Sequence, residues 1–492
     1  MKTIAIIGSG LGGLTAGNLL ARKGHKVTIF EAHTSPGGYT SGFRHNGFYF
    51  ESGTLSFESS DLVFPAMKEI GVFDKVDFVR QKIAVITPGM RGVCGSYEDL
   101  KKLVRESYPD EKEGLDRYFG VADKMIRVMY AVTRPKGLAG ILAYPVQMMR
   151  MIGLYQKYNR LTTTEFTAQC FGRDTELCRF FKDLGYPDMS AAIIGPAFAF
   201  FFDDYWTVRT GMQSWADALA ANFRGLGGEL KLGSKVEKIV TKEGAAVGVE
   251  SRGEFHPADW VISGADYKKT FLEWLDDKTI LPEAFRRKVA AAAVSEGITT
   301  VYLGLDLPPL ELARWIKLPH ATYHDVRDDF DVRRSGNDPD FFSKVSLGLY
   351  SPSLHDAGLA PEGKSSLMIQ AVSPYHWMDN WGGADRPKYK ELKEKVKETL
   401  VARASAVIPD LAGKIVFSDV ATPRTYERYT GNTDGATSAW SWNPDNKFYK
   451  STLSIKIDTP VRNLLIGSCW ASQMGGVPSA IGAARKCAKK IG

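Results

Sequence analysis

The sequence predicts an α/β chain of two interleaved domains, one built on a doubly wound parallel sheet and the other α+β. Three observations carry this. Residues 1–31 read as strand, glycine turn, helix and second strand. Residues 459–492 read as a strand, a glycine-containing loop and a closing helix. A chain of 492 residues, 44% of them apolar, is too long for one core and apolar enough to bury two.

The amino-terminal unit has a physical reason at each step. Lys2-Thr-Ile-Ala-Ile-Ile-Gly8 is a β-branched run that ends in Gly8-Ser9-Gly10-Leu11-Gly12-Gly13. Leu14 to Arg22 continues as a helix, Gly24 closes it, and Lys26 to Phe30 forms the next strand. Gly8 permits the tight turn, Gly10 lets the backbone approach a pyrophosphate, and Gly13 lets the helix pack closely on the sheet. The amino end of the helix, with unpaired N–H groups, favours phosphate. Glu31, 21 residues after Gly10, stands where it can accept hydrogen bonds from a ribose diol. This is a Rossmann-like dinucleotide site.

A second glycine pair follows in Glu31-Ala32-His33-Thr34-Ser35-Pro36-Gly37-Gly38-Tyr39, and Gly42 to Gly53 continues without a helix. Such a pair suits a longer cofactor whose extended middle needs close backbone approach beyond the first turn. The arrangement resembles the glutathione-reductase-like flavoprotein superfamily, in the branch of amine oxidases and phytoene desaturases. Thr459-Pro-Val-Arg-Asn-Leu-Leu-Ile-Gly467-Ser468-Cys469-Trp470, continuing through Gly475-Gly476-Val477-Pro-Ser-Ala480 to Arg485, is similar to the closing signature of the phytoene desaturase, carotenoid isomerase and retinol saturase group. Leu354–Lys364, Ala421–Gly431, and Gly227 to Val236 followed by Ala258 to Gly264 resemble internal stretches of that group.

The resemblance implies FAD. It implies cofactor contacts from Gly8, Ser9, Gly10, Leu11, Gly12 and Gly13, from Glu31 and Ala32, and from Gly37, Gly38 and Tyr39. Val236 would meet the adenine through its backbone, and Gly264, Gly467, Ser468, Gly476, Val477 and Ala480 complete the set. In the group the final helix starts beside the pyrimidine edge of the flavin, where its dipole stabilises negative charge on the reduced ring. This chain departs from the pattern at Ser468, where an acid is usual, and at Tyr39, where amine oxidases usually carry arginine. The Pro-x-Gly-Gly before the substrate-side helix appears as Val208-Arg209-Thr210-Gly211-Met212, and Ser479 stands where glycine is common.

The motifs divide the chain. Residues 1–60, 206–268 and 415–492 are expected to build the FAD-binding domain, and 61–205 with 269–414 the substrate domain. Residues 98–205 read as mostly helical. Ile298–Leu305, Lys344–Leu349 and Ser365–Val372 alternate like strands of a sheet roofing the flavin. Cys94, Cys170, Cys178, Cys469 and Cys487 lack CxxC spacing and read as reduced thiols of a cytoplasmic protein, without disulfides or zinc. The glycines at cofactor spacing argue against reading the amino terminus as a signal peptide.

A net charge of +7 on this length does not imply nucleic acid, and no recognition pattern for it is present. From 124 to 164, however, Lys124, Arg127, Arg134, Lys136, Arg150, Lys157 and Arg160 occur with no acidic residue. After Pro145, Met148, Ile152 and Tyr155 fall on one helical face and Arg150, Gly153, Lys157 and Arg160 on another. This predicts an amphipathic cationic helix at an anionic membrane surface, on the inner face of the membrane. Met189–Phe202, uncharged and broken by Gly195-Pro196, is too short to span a bilayer and reads either as core or as the wall of an apolar tunnel. Asp203-Asp204 after it reads as a helix boundary.

The resulting expectation is an FAD-dependent oxidoreductase that desaturates or saturates C=C bonds of a long isoprenoid or polyene by hydride transfer at flavin N5. Redox-neutral cis–trans isomerisation with reduced FAD is the rival within the family. A flavin amine oxidase is the rival from another class, and a flavin-binding scaffold is the non-enzymatic one. No catalytic acid or base stands out; Tyr426, Trp440 and Trp470 are weak candidates, followed by Arg424, Trp442, Tyr375 and His376. His320 and His324 have helical i,i+4 spacing without a third ligand, so no metal is expected. No second nucleotide fingerprint is present, which points to a quinone or oxygen as electron acceptor.

Overall fold

The computed structural model describes residues 1–133, 137–173, 175–184, 189–325, 336–451 and 454–492. Its first layer is a five-stranded parallel sheet in the order Leu464–Ile466, Trp260–Ser263, Thr3–Ile7, Lys26–Phe30, Glu229–Lys231. The two chain ends thus meet in one sheet, with only Trp260–Ser263 between them. Helix Leu11–Arg22 packs against Met212–Gly225 and Gly476–Ile491 and is buried from Leu11 to Ala21. A helix enclosed on all sides tolerates few polar groups unless they are satisfied. Its Asn18 donates to the Leu14 and Leu219 carbonyls and accepts from Asn222. Gly17 is needed here, because a Cβ would lie 2.7 Å from Ile29 Cδ1.

Val236–Lys242, Ala245–Ser251 and Glu254–Pro257 form an antiparallel sheet before the chain returns as Trp260–Ser263. The glycine-rich stretch after Tyr39 is a hairpin, Gly42–His45 with Phe48–Glu51, turned by Asn46 and Gly47 at φ 49° and 83°. The expected roof strands occur as Gly297–Leu305, Leu347–Tyr350 and Ser365–Ser373, joined with Ile415–Ala421, His320–Tyr323, Ile83–Ile86 and Arg91–Cys94 in one seven-stranded sheet. Gly297–Leu305 is buried at nearly every position instead of alternating, since it is a central strand covered on both faces.

Three boundaries move. Helix Ser60–Ile70 packs its Val63, Ala66, Met67 and Ile70 into the nucleotide-domain core, and so do Phe271, Leu275, Leu281 and Val289. All were expected in the substrate domain, but their apolar faces match the first core. Ile415–Ala421, assigned to the nucleotide domain, is instead an edge strand antiparallel to Gly297–Leu305. The helical part of the chain runs Tyr97–Ser107, Lys112–Thr133, Gly137–Tyr158, Thr163–Phe171 and Glu176–Lys182 around a third, phenylalanine-rich core.

The cationic helix differs from its expected form. It begins at Gly137, so Pro145 lies inside it, and it exposes Ile141, Leu142, Val146, Met149 and Ile152. The inward face carries Leu154 and Tyr158, the latter buried. Of the basic residues read from sequence, Arg134 and Lys136 lie outside the described residues, as does the side chain of Leu138. Among the described residues, no helix is long and apolar enough to cross a membrane.

The Met189–Phe202 run is core. Phe198 and Phe202 are buried, Phe198 stacks on Tyr97 at 5.6 Å, and Phe201 packs on Tyr205 at 4.7 Å. Gly195 and Pro196 do not break it but open the short helix Ile194–Phe198, where proline is tolerated in the first turn. A Cβ on Gly195 would meet the Ala122 carbonyl at 2.5 Å, so the glycine permits close helix packing. Asp203 accepts from Tyr97 N and Asp204 from Ser60 N, each at the start of a helix.

Candidate cofactor site

A cavity of about 840 Å³ runs along the carboxyl ends of the parallel strands. It lies in the size range of cofactor pockets. At one end, strand Thr3–Ile7 turns at Gly8 (φ 90°) into helix Leu11–Arg22. Gly10 precedes that helix with no side-chain cap, and its first turn has no acid. A Cβ on Gly10 would meet nothing within 4 Å, so the open space is on the cavity side. Gly12 and Gly13 act differently. A Cβ on Gly12 would lie 2.1 Å from the Gly467 carbonyl oxygen, and one on Gly13 2.0 Å from that of Gly8. Gly8, Gly10, Leu11 and Gly12 line the cavity; Ser9, Gly13 and Gly467 stand behind its wall.

Ser9 has a definite task there. Its N–H and hydroxyl both donate to Glu31 Oε2, each at 2.7 Å, while His33 N donates to Oε1 at 2.9 Å. Glu31 is buried and lines the cavity with Ala32, its carboxylate fixed by these three donors. Lys235 and Val236 form the facing wall. The second glycine pair closes on the first: Gly37 N donates to the Ser9 carbonyl at 3.0 Å, and a Cβ on Gly38 would sit 3.3 Å from Gly10 Cα. Gly37 and Gly38 take φ of 130° and 59°, which only glycine adopts readily.

Gly264 and Ser468 stand beside the first glycine turn, against Gly8 and Gly12, and Cys469, Trp470, Gly476, Val477 and Ala480 continue the lining. Ser468 donates its hydroxyl to the Ala265 carbonyl at 3.2 Å. Burial pushes the Cys469 thiol up to about 12, so at neutral pH it is a protonated, unreactive group.

Of the catalytic candidates, Trp470 lines the cavity, whereas Tyr426 and Trp440 do not. Tyr426 lies behind Tyr39, with the rings stacked at 5.8 Å and 6° to each other, and its hydroxyl is bonded to Thr300 Oγ1 at 2.7 Å. Trp440 is fully buried, stacked on Phe448 at 3.9 Å, and donates Nε1 to the Trp470 carbonyl. Both are packing residues. Arg424 and Tyr375 do line the cavity, but Arg424 donates to the Asn380, Trp381 and Gly383 carbonyls and Tyr375 to Glu427. Trp442 packs against the helical core, and His376 is bonded to Asn380. His320 opens a strand instead of lying on a helix, and burial lowers it and His324 to about 4.

Sequence reasoning missed Lys235, Lys269, Tyr389 and the cavity-facing side of helix Pro423–Thr430. A helical signal was available for the last. Arg424, Thr425 and Arg428 recur at i, i+1 and i+4 and face the cavity, while Tyr426 turns to the roof sheet.

An uncapped helix end, a bare glycine at its start, a fixed buried carboxylate one strand away and a second glycine pair in contact with the first define a site for an extended dinucleotide. The pattern for flavin-containing amine oxidoreductases matches residues 11–492, and the chain belongs to that family. FAD fits the cavity, and when bound it supplies hydride transfer at its N5. Among relatives, the chain is 25% identical to a 4,4'-diapophytoene desaturase of Methylomonas sp, covering 91% of this chain and 88% of that one. It is 26% identical to prolycopene isomerase 1 of an Oncidium hybrid cultivar, covering 99% and 83%. It is 22% identical to the all-trans-retinol 13,14-reductase of Danio rerio, covering 94% and 81%. In fold it is similar to putrescine oxidase bound to putrescine, with a TM-score of 0.65, 16% identity and coverage of 100% and 98%. An oxidoreductase of Methanosarcina mazei gives 0.61 at 17% identity, covering 99% and 100%.

Proposed function

We propose that this FAD-dependent oxidoreductase removes or adds hydrogen across a carbon–carbon bond of a long, apolar isoprenoid or polyene taken from a membrane surface. The observation that carries this is the outer helix Gly137–Tyr158. It presents Ile141, Leu142, Val146, Met149 and Ile152 to solvent beside Arg150 and Lys157, with no acid from 124 to 164. An exposed apolar stripe flanked by cations suits an anionic bilayer. The core beneath it includes Leu154, Trp442 and Met474, and Met474 directly precedes the Gly475–Gly476 end of the cavity. A lipid-soluble substrate entering from the outer surface would pass between these side chains, none of which lines the cavity. The names of the desaturase and reductase relatives agree with the chemistry, and redox-neutral isomerisation is the second reading, supported by the prolycopene isomerases.

An amine substrate is disfavoured by the Tyr39–Tyr426 pair. Rings stacked at 5.8 Å leave no gap for an ammonium group between them, and the Tyr39 hydroxyl is bonded to the Gly435 carbonyl at 3.0 Å. Without a nicotinamide fingerprint in the sequence, a quinone or oxygen is the proposed electron acceptor. The residues around the cofactor then act by position: Glu31 and the Gly10 turn hold it, and Trp470 walls the cavity against water. Incubating the FAD-loaded protein with polyene-bearing lipid extract and analysing products by mass tests the reading. A change of two hydrogens supports desaturation or saturation, a retention change at constant mass supports isomerisation, and bleaching by amines with polyenes inert would overturn both.

A further inference from the structure

The final helix, Gly476–Ile491, begins at the cavity wall with no capping side chain and no acid in its first turn. Gly475 and Gly476 enter it at φ 61° and 73°. Its first amides therefore present partial positive charge with nothing of the helix's own to oppose it. Glu58 stands against this end from outside: its Oε1 lies 3.5 Å from where a Cβ on Gly476 would be. The loop fixes it there. Phe57 is fully buried and exchanges backbone hydrogen bonds with Trp206 at 2.7 and 2.8 Å, and Ser59 is left-handed at φ 61°. Ser60 N then donates to Asp204.

Glu58 is half-buried, and desolvation followed by the charge of Asp204 pushes its carboxyl up to about 7. No countercharge comes from the final helix, whose first charged residue, Arg485, pairs with Glu69 at 3.3 Å. The remaining acid of the neighbouring segment, Asp203, is bonded to Tyr97 N on the helical side.

We propose that Glu58 is a redox-linked proton site, taking one proton from solvent as the flavin beside the final helix is reduced and releasing it on reoxidation. The inference rests on the reading that the flavin ring lies at the Gly476 end of the cavity. A carboxylate and a ring that gains negative charge would then both lie in the field of the same helix end, and like charges sharing one site disfavour one another. Glu58 relieves this by binding a proton. Two electrons enter the ring from the substrate as a hydride, or from dithionite in a titration. One further proton moves from solvent to the Glu58 carboxylate, and on reoxidation both are given up.

The test is the flavin midpoint potential of the FAD-loaded protein, measured by dithionite titration across neutral pH for wild type, Glu58→Gln and Glu58→Asp. Each proton taken up with two electrons contributes about 30 mV per pH unit. Above about pH 7 the wild-type slope should exceed that of Glu58→Gln by one proton's contribution. Glu58→Asp should keep the extra slope with its onset at lower pH. Equal slopes in wild type and Glu58→Gln would overturn the proposal; if that variant loses FAD, an onset unmoved in Glu58→Asp overturns it. The lipid-product assay stands apart: absent products with the slope difference intact would defeat the polyene reading and leave Glu58 in place.

Discussion

At the scale of single residues, the glycines of the first turn separate two kinds of constraint. Gly10 has an ordinary φ of −67° and open space beyond it, while Gly12 faces the Gly467 carbonyl at a distance no methyl can occupy. Gly10→Ala should therefore leave the cofactor-free protein as stable as wild type and weaken FAD binding tenfold or more. Gly12→Ala should destabilise the cofactor-free protein itself by about 1–3 kcal/mol. Denaturant unfolding without FAD, paired with fluorescence titration of FAD, distinguishes them; equal stability losses would refute the distinction. Glu51 makes a second case. It is fully buried, accepts from Tyr49 and from Met212 N, and desolvation raises it from 4.5 to about 8. Between these values the native state holds a proton that the unfolded chain has lost, so stability is present below about pH 4.5 and falls as pH rises toward 8. Glu51→Gln, which mimics the protonated form, should flatten the fall in unfolding free energy between pH 5 and 8; an unchanged slope would show that Glu51 is not its source. Nothing in the sequence marked Glu51 or Glu58, because burial of an acid depends on neighbours such as Met212 and Gly476 that are far away in the chain.

At the scale of elements, the legible parts were those whose function constrains local spacing. The turn from Gly8 to Gly13, the acid at Glu31, the pair Gly37–Gly38 and the closing helix all occur where the sequence predicts, because phosphate approach dictates glycine at fixed offsets. Elements defined by what they pack against were misread. Helix Ser60–Ile70 and strand Ile415–Ala421 have apolar patterns that fit either core, and only tertiary contact assigns them. The outer helix was misread in part. Its expected start after Pro145 grouped Met148, Ile152 and Tyr155 on one face, whereas the helix starts at Gly137, exposes Ile152 together with Leu142, Val146 and Met149, and half-buries Met148 and Tyr155. This sets a sharper prediction for liposome flotation. Leu142→Glu with Met149→Glu should abolish binding to anionic vesicles, changing Arg150, Lys157 and Arg160 to Glu should weaken it in a salt-dependent way, and Met148→Glu should matter least for lipid contact. Flotation of the Leu142/Met149 variant equal to wild type would remove the membrane surface from the account.

At the scale of the whole molecule, neither large core is contiguous in sequence. The first draws on the amino-terminal strands, Val63 to Val76, Val208 to Val289 and Ala436 to Ile491; the roof draws on Ala84 and Ile86, Val301 to Leu349, and Leu367 to Val420. Unfolding one therefore removes the anchors of chain segments in the other, and a small aromatic cluster, including Phe50, Tyr302 and Tyr426, joins them behind Tyr39. The cofactor cavity is itself walled by segments from Ile7 to Ala480, including helix Pro423–Thr430 just after the roof's edge strand. Binding FAD should then act on both cores at once. Free FAD at about a hundred times its dissociation constant adds about 2.7 kcal/mol, and both domains should share that gain. Tryptophan reports each side separately: Trp206, Trp215, Trp260, Trp274, Trp440 and Trp470 belong to the first core, and Trp315, Trp377 and Trp381 to the roof. With the tryptophans of one core replaced by phenylalanine in turn, the two denaturation curves should coincide and shift together on adding FAD. A roof transition that stayed fixed while the first core moved would mean that the domains unfold independently, and that the interleaving does not couple them.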